Sequence, residues 1–242
     1  MSGVLIYPES EAKRNAFATE KFIKNLGVRL VYDDYRGDAD FVINRTNDYK
    51  IAEYYESRGV RVFNPSALSR LANDKQACYD FMEKNGIDIM QTRYEGLPVV
   101  KKPVAGHGGE GVLMLDKKES FEDGFVYQKV SNEPGKDLRV FVIGGEIITA
   151  FLRESKTDFR SNFCLGGEAN LYILNAEEER LVKRIISLVK ADYIGIDFVF
   201  NDGNIVFNEI EDTVGARMVY AKTDIDILKL YCDYIRFIMK SL

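Results

Sequence analysis

Histidine occurs once in this 242-residue chain, at His107, and that scarcity excludes Ser/His/Asp and Cys/His catalysis built on any other histidine. Cysteine is nearly as rare. Cys78, Cys164 and Cys232 are widely spaced, odd in number and free of any Cys-x-x-Cys pairing, so neither a disulfide framework nor a zinc knuckle is supported. A reducing cytoplasm is the expected compartment. Long apolar runs are missing too: the most apolar stretch, 140–152, is broken by Gly144, Gly145 and Glu146 and falls short of the roughly 20 residues a membrane helix needs. Residues 1–7 run straight into Pro8, Glu9 and Glu11, without the basic segment and apolar core of an export signal, so no membrane or secretory role is expected. Nor is there a surplus of positive charge. With 33 Lys and Arg against 38 Asp and Glu the net charge is -5, which argues against a nucleic-acid partner.

What is present is enough apolar material, 46% of the residues, to bury a substantial core in two or three small domains. Strands over 4–7, 29–32, 41–44 and 60–63 alternate with helices over 9–25 and 49–57, the pattern of a parallel α/β sheet. A helix from 73 ends near Asn85 and Gly86, and the pattern then changes. Short strands over 99–102, 112–115, 125–130, 138–143 and 147–152, joined by glycine-bearing turns, predict an antiparallel-rich second half. A helix over 176–190, a hairpin of 193–200 and 205–210 about Asn201-Asp202-Gly203-Asn204, and a helix over 225–239 complete it. The expected class is α/β, turning α+β in the second half, with domains over 1–72 and 73–242.

Three constellations carry chemistry. Lys101-Lys102-Pro103 leads from a strand into Gly106, Gly108, Gly109 and Gly111, a loop able to lay backbone N–H groups against phosphate oxygens. It fits neither the Walker pattern nor a Rossmann fingerprint, and a flexible hairpin tip is the alternative. On the late hairpin, Glu209 and Glu211 share a strand face and can converge with Asp197 on the neighbouring strand, a set of hard oxygens suited to Mg2+. A solvated acidic strand end is the alternative there. Finally, Asp137-Leu138-Arg139, Arg153 and Asp158-Phe159-Arg160-Ser161-Asn162 offer rigid guanidinium forks for phosphate or carboxylate, or else surface salt bridges.

The order of these elements, with Asp74-Lys75 on a helix, Tyr127-Gln128-Lys129-Val130, Gly195-x-Asp197 and Asn208-Glu209-x-Glu211, resembles the ATP-grasp superfamily, and specifically its RimK-like carboxylate–amine ligases. The resemblance runs from Asn73 to the C-terminus. It implies an ATP-grasp fold with a glycine-loop lid over about 91–128. Lys75 and Lys102 would hold ATP phosphates under a lid made of Gly106, Gly108, Gly109 and Gly111. Tyr127, Gln128, Lys129 and Val130 would border the base, with Asp137 in the same nucleotide set. Arg153 and Arg160 would stabilise the transferring phosphoryl group, with Asn162 positioning it. Asp197, Glu209 and Glu211 would hold two Mg2+ ions, with Mn2+ as a substitute. Two features depart from the pattern: Glu211 stands where the family has Asn, and Asp212-Thr213-Val214-Gly215-Ala216-Arg217 replaces a Ser/Thr-Pro-Gly turn.

The implied activity is an ADP-forming ligation of a carboxylate to an amine through an acyl phosphate, on an amino acid or peptide. Phosphoryl transfer to another acceptor and non-catalytic nucleotide binding are the competing readings. Arg217, just past the acidic strand, is the candidate grip for a substrate carboxylate, a surface arginine being equally compatible with its position. His107 reads as a lid residue rather than a base. The sequence leaves open whether the chain forms a homo-oligomer.

Overall fold

A computed structural model of the chain describes residues 2–106, 108–155, 158–159 and 168–242. Four parallel strands, β1 (Gly3–Tyr7), β2 (Arg29–Tyr32), β3 (Phe41–Asn44) and β4 (Arg61–Phe63), form the first sheet in the order β2-β1-β3-β4. Every residue of β1 and β3 is buried, as expected of parallel strands covered on both faces. The helix expected over 9–25 is two helices, α1 (Glu9–Arg14) and α2 (Ala16–Leu26). The break is at Asn15, whose side-chain amide donates to the Glu11 carbonyl and whose backbone leaves the helical region (φ -111°, ψ 32°). α2 then ends at Gly27 in the left-handed region, with the Gly27 N–H on the Ile23 carbonyl.

After α3 (Tyr49–Glu56) and β4 come α4 (Ser66–Ala72), which the sequence reading missed, and α5 (Lys75–Lys84). Seven residues are too few to display a helical period, although Pro65 just before Ser66 marks a start. The second sheet is antiparallel: β5 (Val99–Pro103) lies between β6 (Leu113–Leu115) and β7 (Phe125–Lys129). The third contains β8 (Lys136–Ile143), β9 (Glu146–Glu154), β10 (Glu168–Tyr172), β11 (Tyr193–Asn201) and β12 (Asn204–Glu211), all antiparallel, in the order β10-β9-β8-β11-β12. β10 was also not anticipated. The β11–β12 hairpin turns through Asp202 and Gly203, both at positive φ (52° and 74°), as a two-residue primed turn requires.

Helices α6 (Ala176–Leu188), α7 (Arg217–Lys222) and α8 (Ile227–Ser241) complete the chain. Asn175 and Glu178 cap α6 reciprocally, and the helix stops two residues short of the expected 190. α7 is short and unanticipated. One apolar core joins the first sheet and α2 to α8 and one side of the five-stranded sheet, through Phe22, Phe63, Phe141, Tyr193 and Tyr231. A second packs α5 and α6 on the other side, through Tyr79, Met82, Val182, Ile196 and Phe207. No helix of the described residues is long and apolar enough to cross a membrane.

Two buried polar side chains from the first sheet's loops reach across this junction. Asn64 makes four hydrogen bonds. Its amide donates to the Tyr193 and Asp212 carbonyls, and its oxygen accepts from the Asp192 and Tyr193 N–H groups, all within 3.0 Å. Arg45 donates to the Thr213 and Val214 carbonyls at 2.8 and 2.7 Å, while Asn47 accepts from the Thr213 hydroxyl at 3.0 Å. The turn that follows β12 is thereby held from residues 45–64.

Candidate active site

The glycine loop leaves β5 and returns as β6. Gly108, Gly109 and Gly111 all take positive φ (64°, 79° and 69°), a conformation that a side chain would strain. At Gly111 a Cβ would also stand 2.9 Å from the Pro103 ring. Strand alternation at the loop's entrance sends the two lysines to opposite faces. Lys101 turns outward to Glu122 (2.6 Å) and the rings of Phe125 and Tyr127, whereas Lys102 turns into the protein.

The Lys102 ammonium donates to Tyr79 Oη on α5 and Asn208 Oδ1 on β12, both at 2.9 Å. Burial lowers its pKa to about 8, with Glu209 opposing the fall. Because the folded value lies below the ordinary lysine range, the ammonium discharges in the intact protein as pH rises through about 8. Affinity for a fluorescent ADP analogue is therefore expected to drop about tenfold between pH 7 and pH 9. A flat profile would remove Lys102 from phosphate binding.

Lys75 is the first residue of α5, where the side chain of the N-cap Asp74 accepts from the Ala77 N–H. Its ammonium meets Glu209 Oε1 at 2.9 Å and donates to the Gly106 carbonyl, so one side chain ties the glycine loop to the acidic strand. Glu209 in turn is the register partner of Asp197. Burial raises the pKa of Glu209, against the pull of Lys75.

Asp197 belongs to a buried ladder of alternating charge. Arg153 forks onto Asp137 at 2.6 and 2.7 Å and touches Asp197 at 2.9 Å. Arg139 forks onto Asp197 at 2.7 and 2.6 Å and reaches Glu211 at 2.7 Å. Burial opposes ionisation of Asp197, but Arg139 and Arg153 outweigh it and hold the carboxyl below the usual range. Asp212, the next acid, faces away toward α4, where the Asn73 amide donates to it at 3.1 Å and burial pushes its carboxyl up to about 6.

Part of this set, including Lys75, Lys102, Asp137, Arg153, Asp197, Asn208 and Glu209, borders an open cleft of about 920 Å3, solvent at its mouth included. Of the residues singled out by sequence, Lys75, Lys102, Gly106, Gly109, Gln128, Lys129, Val130, Asp137, Arg153, Asp197 and Glu209 line it. Others do not. Tyr127 faces the far side of its sheet and packs on Phe121, with ring centroids 4.6 Å apart. Glu211 is paired with Arg139 at 2.7 Å and is not among the residues lining the cleft. Arg217 begins α7 and donates to the Arg14 carbonyl at 2.6 Å and Asn15 Oδ1 at 3.1 Å, at the α1–α2 break, and the cleft lining does not include it. Arg160, Asn162 and His107 lie outside the described residues. Sequence reading missed Tyr79 and quoted Asn208 only within the acidic motif, without a role; both are partners of Lys102. Asn208 adjoins Glu209 in an acidic run, and only its hydrogen bond from the Lys102 ammonium in the folded chain shows that it faces the lysine.

Asp197 and Glu209 are hard oxygen donors on paired strands, both bordering the cleft. Among the described residues, no three acidic, histidine or cysteine side chains gather closely enough to hold a metal alone. That donor set fits Mg2+, which takes one or two carboxylates and completes its shell with water and phosphate oxygens.

A parallel sheet followed by two antiparallel sheets, with a glycine loop and an acidic hairpin bordering one cleft, defines the ATP-grasp class of protein. The chain belongs to the RimK-like ATP-grasp domain family, whose pattern its residues 65–235 match. It is similar to a probable alpha-L-glutamate ligase of Haemophilus ducreyi, 25% identical over 211 residues that cover 77% of this chain and 69% of that one. Among solved structures, a RimK domain ATP-grasp protein of Sphaerobacter thermophilus superposes with a TM-score of 0.76 at 17% identity, covering 97% of this chain and 99% of that chain. A D-alanine–D-alanine ligase of Bacillus anthracis complexed with ATP does so with a TM-score of 0.73 at 15% identity, covering 99% and 97%. The α/β-to-α+β architecture and the family expected from sequence are borne out, and of these relatives one is named a probable ligase and another a ligase.

Proposed function

We propose that the chain is an ADP-forming carboxylate–amine ligase that uses ATP and Mg2+ and acts on an amino acid or peptide, in the cytoplasm. One observation carries this reading. Two lysines from separate elements, Lys75 and Lys102, line one cleft with the paired acids Asp197 and Glu209, Lys75 touching Glu209, and a glycine loop borders it. Polyphosphate needs the cations and the loop, and Mg2+ needs the acids.

In the proposed mechanism Lys75 and Lys102 hold the phosphates, Gly106, Gly108, Gly109 and Gly111 cover them, and Gln128, Lys129 and Val130 border the base. Asp197 and Glu209 would hold the metal, which neutralises charge on the phosphates. A substrate carboxylate attacks the terminal phosphorus in line and ADP leaves as the acyl phosphate forms. The amine then adds to the acyl carbon, and phosphate departs as the amide forms. The proton of the attacking neutral amine leaves with the phosphate as hydrogen phosphate, so no side chain has to act as a strong base. The working units are read as 1–72 and 73–242, with a lid over about 91–128; a second metal ion, substitution by Mn2+ and a homo-oligomeric state remain part of this proposal.

The test is incubation with ATP, Mg2+ and pooled amino acids and peptides, following ADP and mass-resolved products. An amide product formed in step with ADP is expected. A stable phosphorylated product would replace the ligase with a phosphoryl transferase, and no ADP with any pool would replace it with a nucleotide-binding protein.

A further inference from the structure

We infer that Tyr79 is a positioning residue, whose hydroxyl fixes the Lys102 ammonium so that the lysine can grip nucleotide phosphate. The inference rests on the proposed reading of Lys102 as a phosphate-binding residue.

Three elements meet at that hydroxyl. Tyr79 follows Lys75 by four residues on α5, so the two side chains lie one turn apart on the same helix face. On that face Lys75 meets Glu209 at 2.9 Å, and Tyr79 Oη stands 3.4 Å from Asn208 Oδ1. Neighbours on a regular strand point to opposite faces, yet Asn208 and Glu209 both reach α5 side chains and both line the cleft. The register explains this. Asp197 pairs with Glu209 and Phe198 with Phe207, which makes Asn208 the extra residue of a β-bulge. The bulge re-aims its amide oxygen to the point where Tyr79 and Lys102 converge.

Lys102 arrives there from β5 and donates to Tyr79 Oη and Asn208 Oδ1, both at 2.9 Å. Tyr79 is 1% exposed and packs edge-on against Phe207, with ring centroids 6.4 Å apart, so its hydroxyl is held in place. Two of the three ammonium N–H groups are thereby directed by buried acceptors, which leaves the third for the cleft that Lys102 lines. A lysine stem is flexible, and with one acceptor in place of two the ammonium would spread over more rotamers. The same helix is fastened a second time just past the end of β5, where the Lys75 N–H donates to the Val104 carbonyl at 3.0 Å. α5 therefore supplies one phosphate lysine and sets the place of the other.

The experiment measures binding of ADP and of adenosine to the full chain, each by displacement of a fluorescent ADP analogue, with thermal unfolding as a check on each variant. Lys102→Met should weaken ADP binding at least about thirtyfold and Tyr79→Phe about tenfold. Adenosine, which carries no phosphate, should bind both variants within about twofold of the parent. Adding Tyr79→Phe to Lys102→Met should cost less than about twofold more, because the hydroxyl acts only through the ammonium. A Tyr79→Phe variant that binds ADP like the parent, that loses adenosine as much as ADP, or whose loss persists in full without Lys102 overturns the inference and leaves the phosphate site standing. If Tyr79→Phe does not fold, Tyr79→Met removes the oxygen while keeping an adaptable apolar filling, and the same criteria apply to it. A parent that binds no ADP, or a Lys102→Met variant that binds it undiminished, refutes the phosphate site and the inference with it.

Discussion

Glu209→Gln is expected to lower ADP release by about a thousandfold, the scale on which a group that stabilises transition-state charge is missed. Glu209 is the one side chain that contacts Lys75, pairs with Asp197 across the hairpin and borders the cleft. Its loss removes a donor for the cation and releases Lys75 from its partner. Glutamine keeps the shape and one carbonyl oxygen, so a fall in rate without a large fall in melting temperature isolates the charge. A coupled assay for ADP under saturating ATP is the measurement. More than a tenth of the parent rate remaining in the variant would mean that the metal site is elsewhere.

Asn64→Ala should be the most destabilising single change outside the cleft. Alanine leaves two buried N–H groups, those of Asp192 and Tyr193, and two buried carbonyls, those of Tyr193 and Asp212, without this partner. Unsatisfied groups of this kind cost about 1–3 kcal/mol each, and partial relaxation brings the sum to roughly 3–4 kcal/mol. For a chain of this size that corresponds to a melting temperature lower by about 6–15 °C. Urea unfolding of the variant beside Asn64→Asp, which keeps both acceptor positions but loses both donors, resolves the two halves of the effect. Losses under about 1 kcal/mol for the alanine variant would show that the junction closes without this side chain.

Most elements were readable, because β8, β9, β11 and β12 are apolar runs bounded by glycine-bearing turns and α6 carries a clean apolar stripe. The misses are physical rather than accidental. α4 and α7 are each under two full turns and too short to show a period, and β10 owes its identity to pairing with β9, a nonlocal fact. Asn15 broke an otherwise continuous helix through its own side chain. Within the site, strand parity made the convergence of Glu209 with Asp197 legible, whereas the opposite faces of Lys101 and Lys102 emerged only in the structure. Contacts with a partner far away in sequence were not legible. Glu211 shares a strand face with Glu209, and that Arg139 reaches it across β11 follows from no local pattern. Arg153 carries its charge in a buried ladder whose other members come from three strands.

The turn after β12 is written in two places in the chain. Residues 212–214 provide its carbonyls, but Arg45 and Asn64 determine where those carbonyls sit. An engineer who grafted 211–217 onto another ligase of this fold would transfer the lettering without the frame, and the segment would settle in the host's geometry. A transplant meant to carry over whatever this turn selects has to bring the loops around 45–47 and 64 with it.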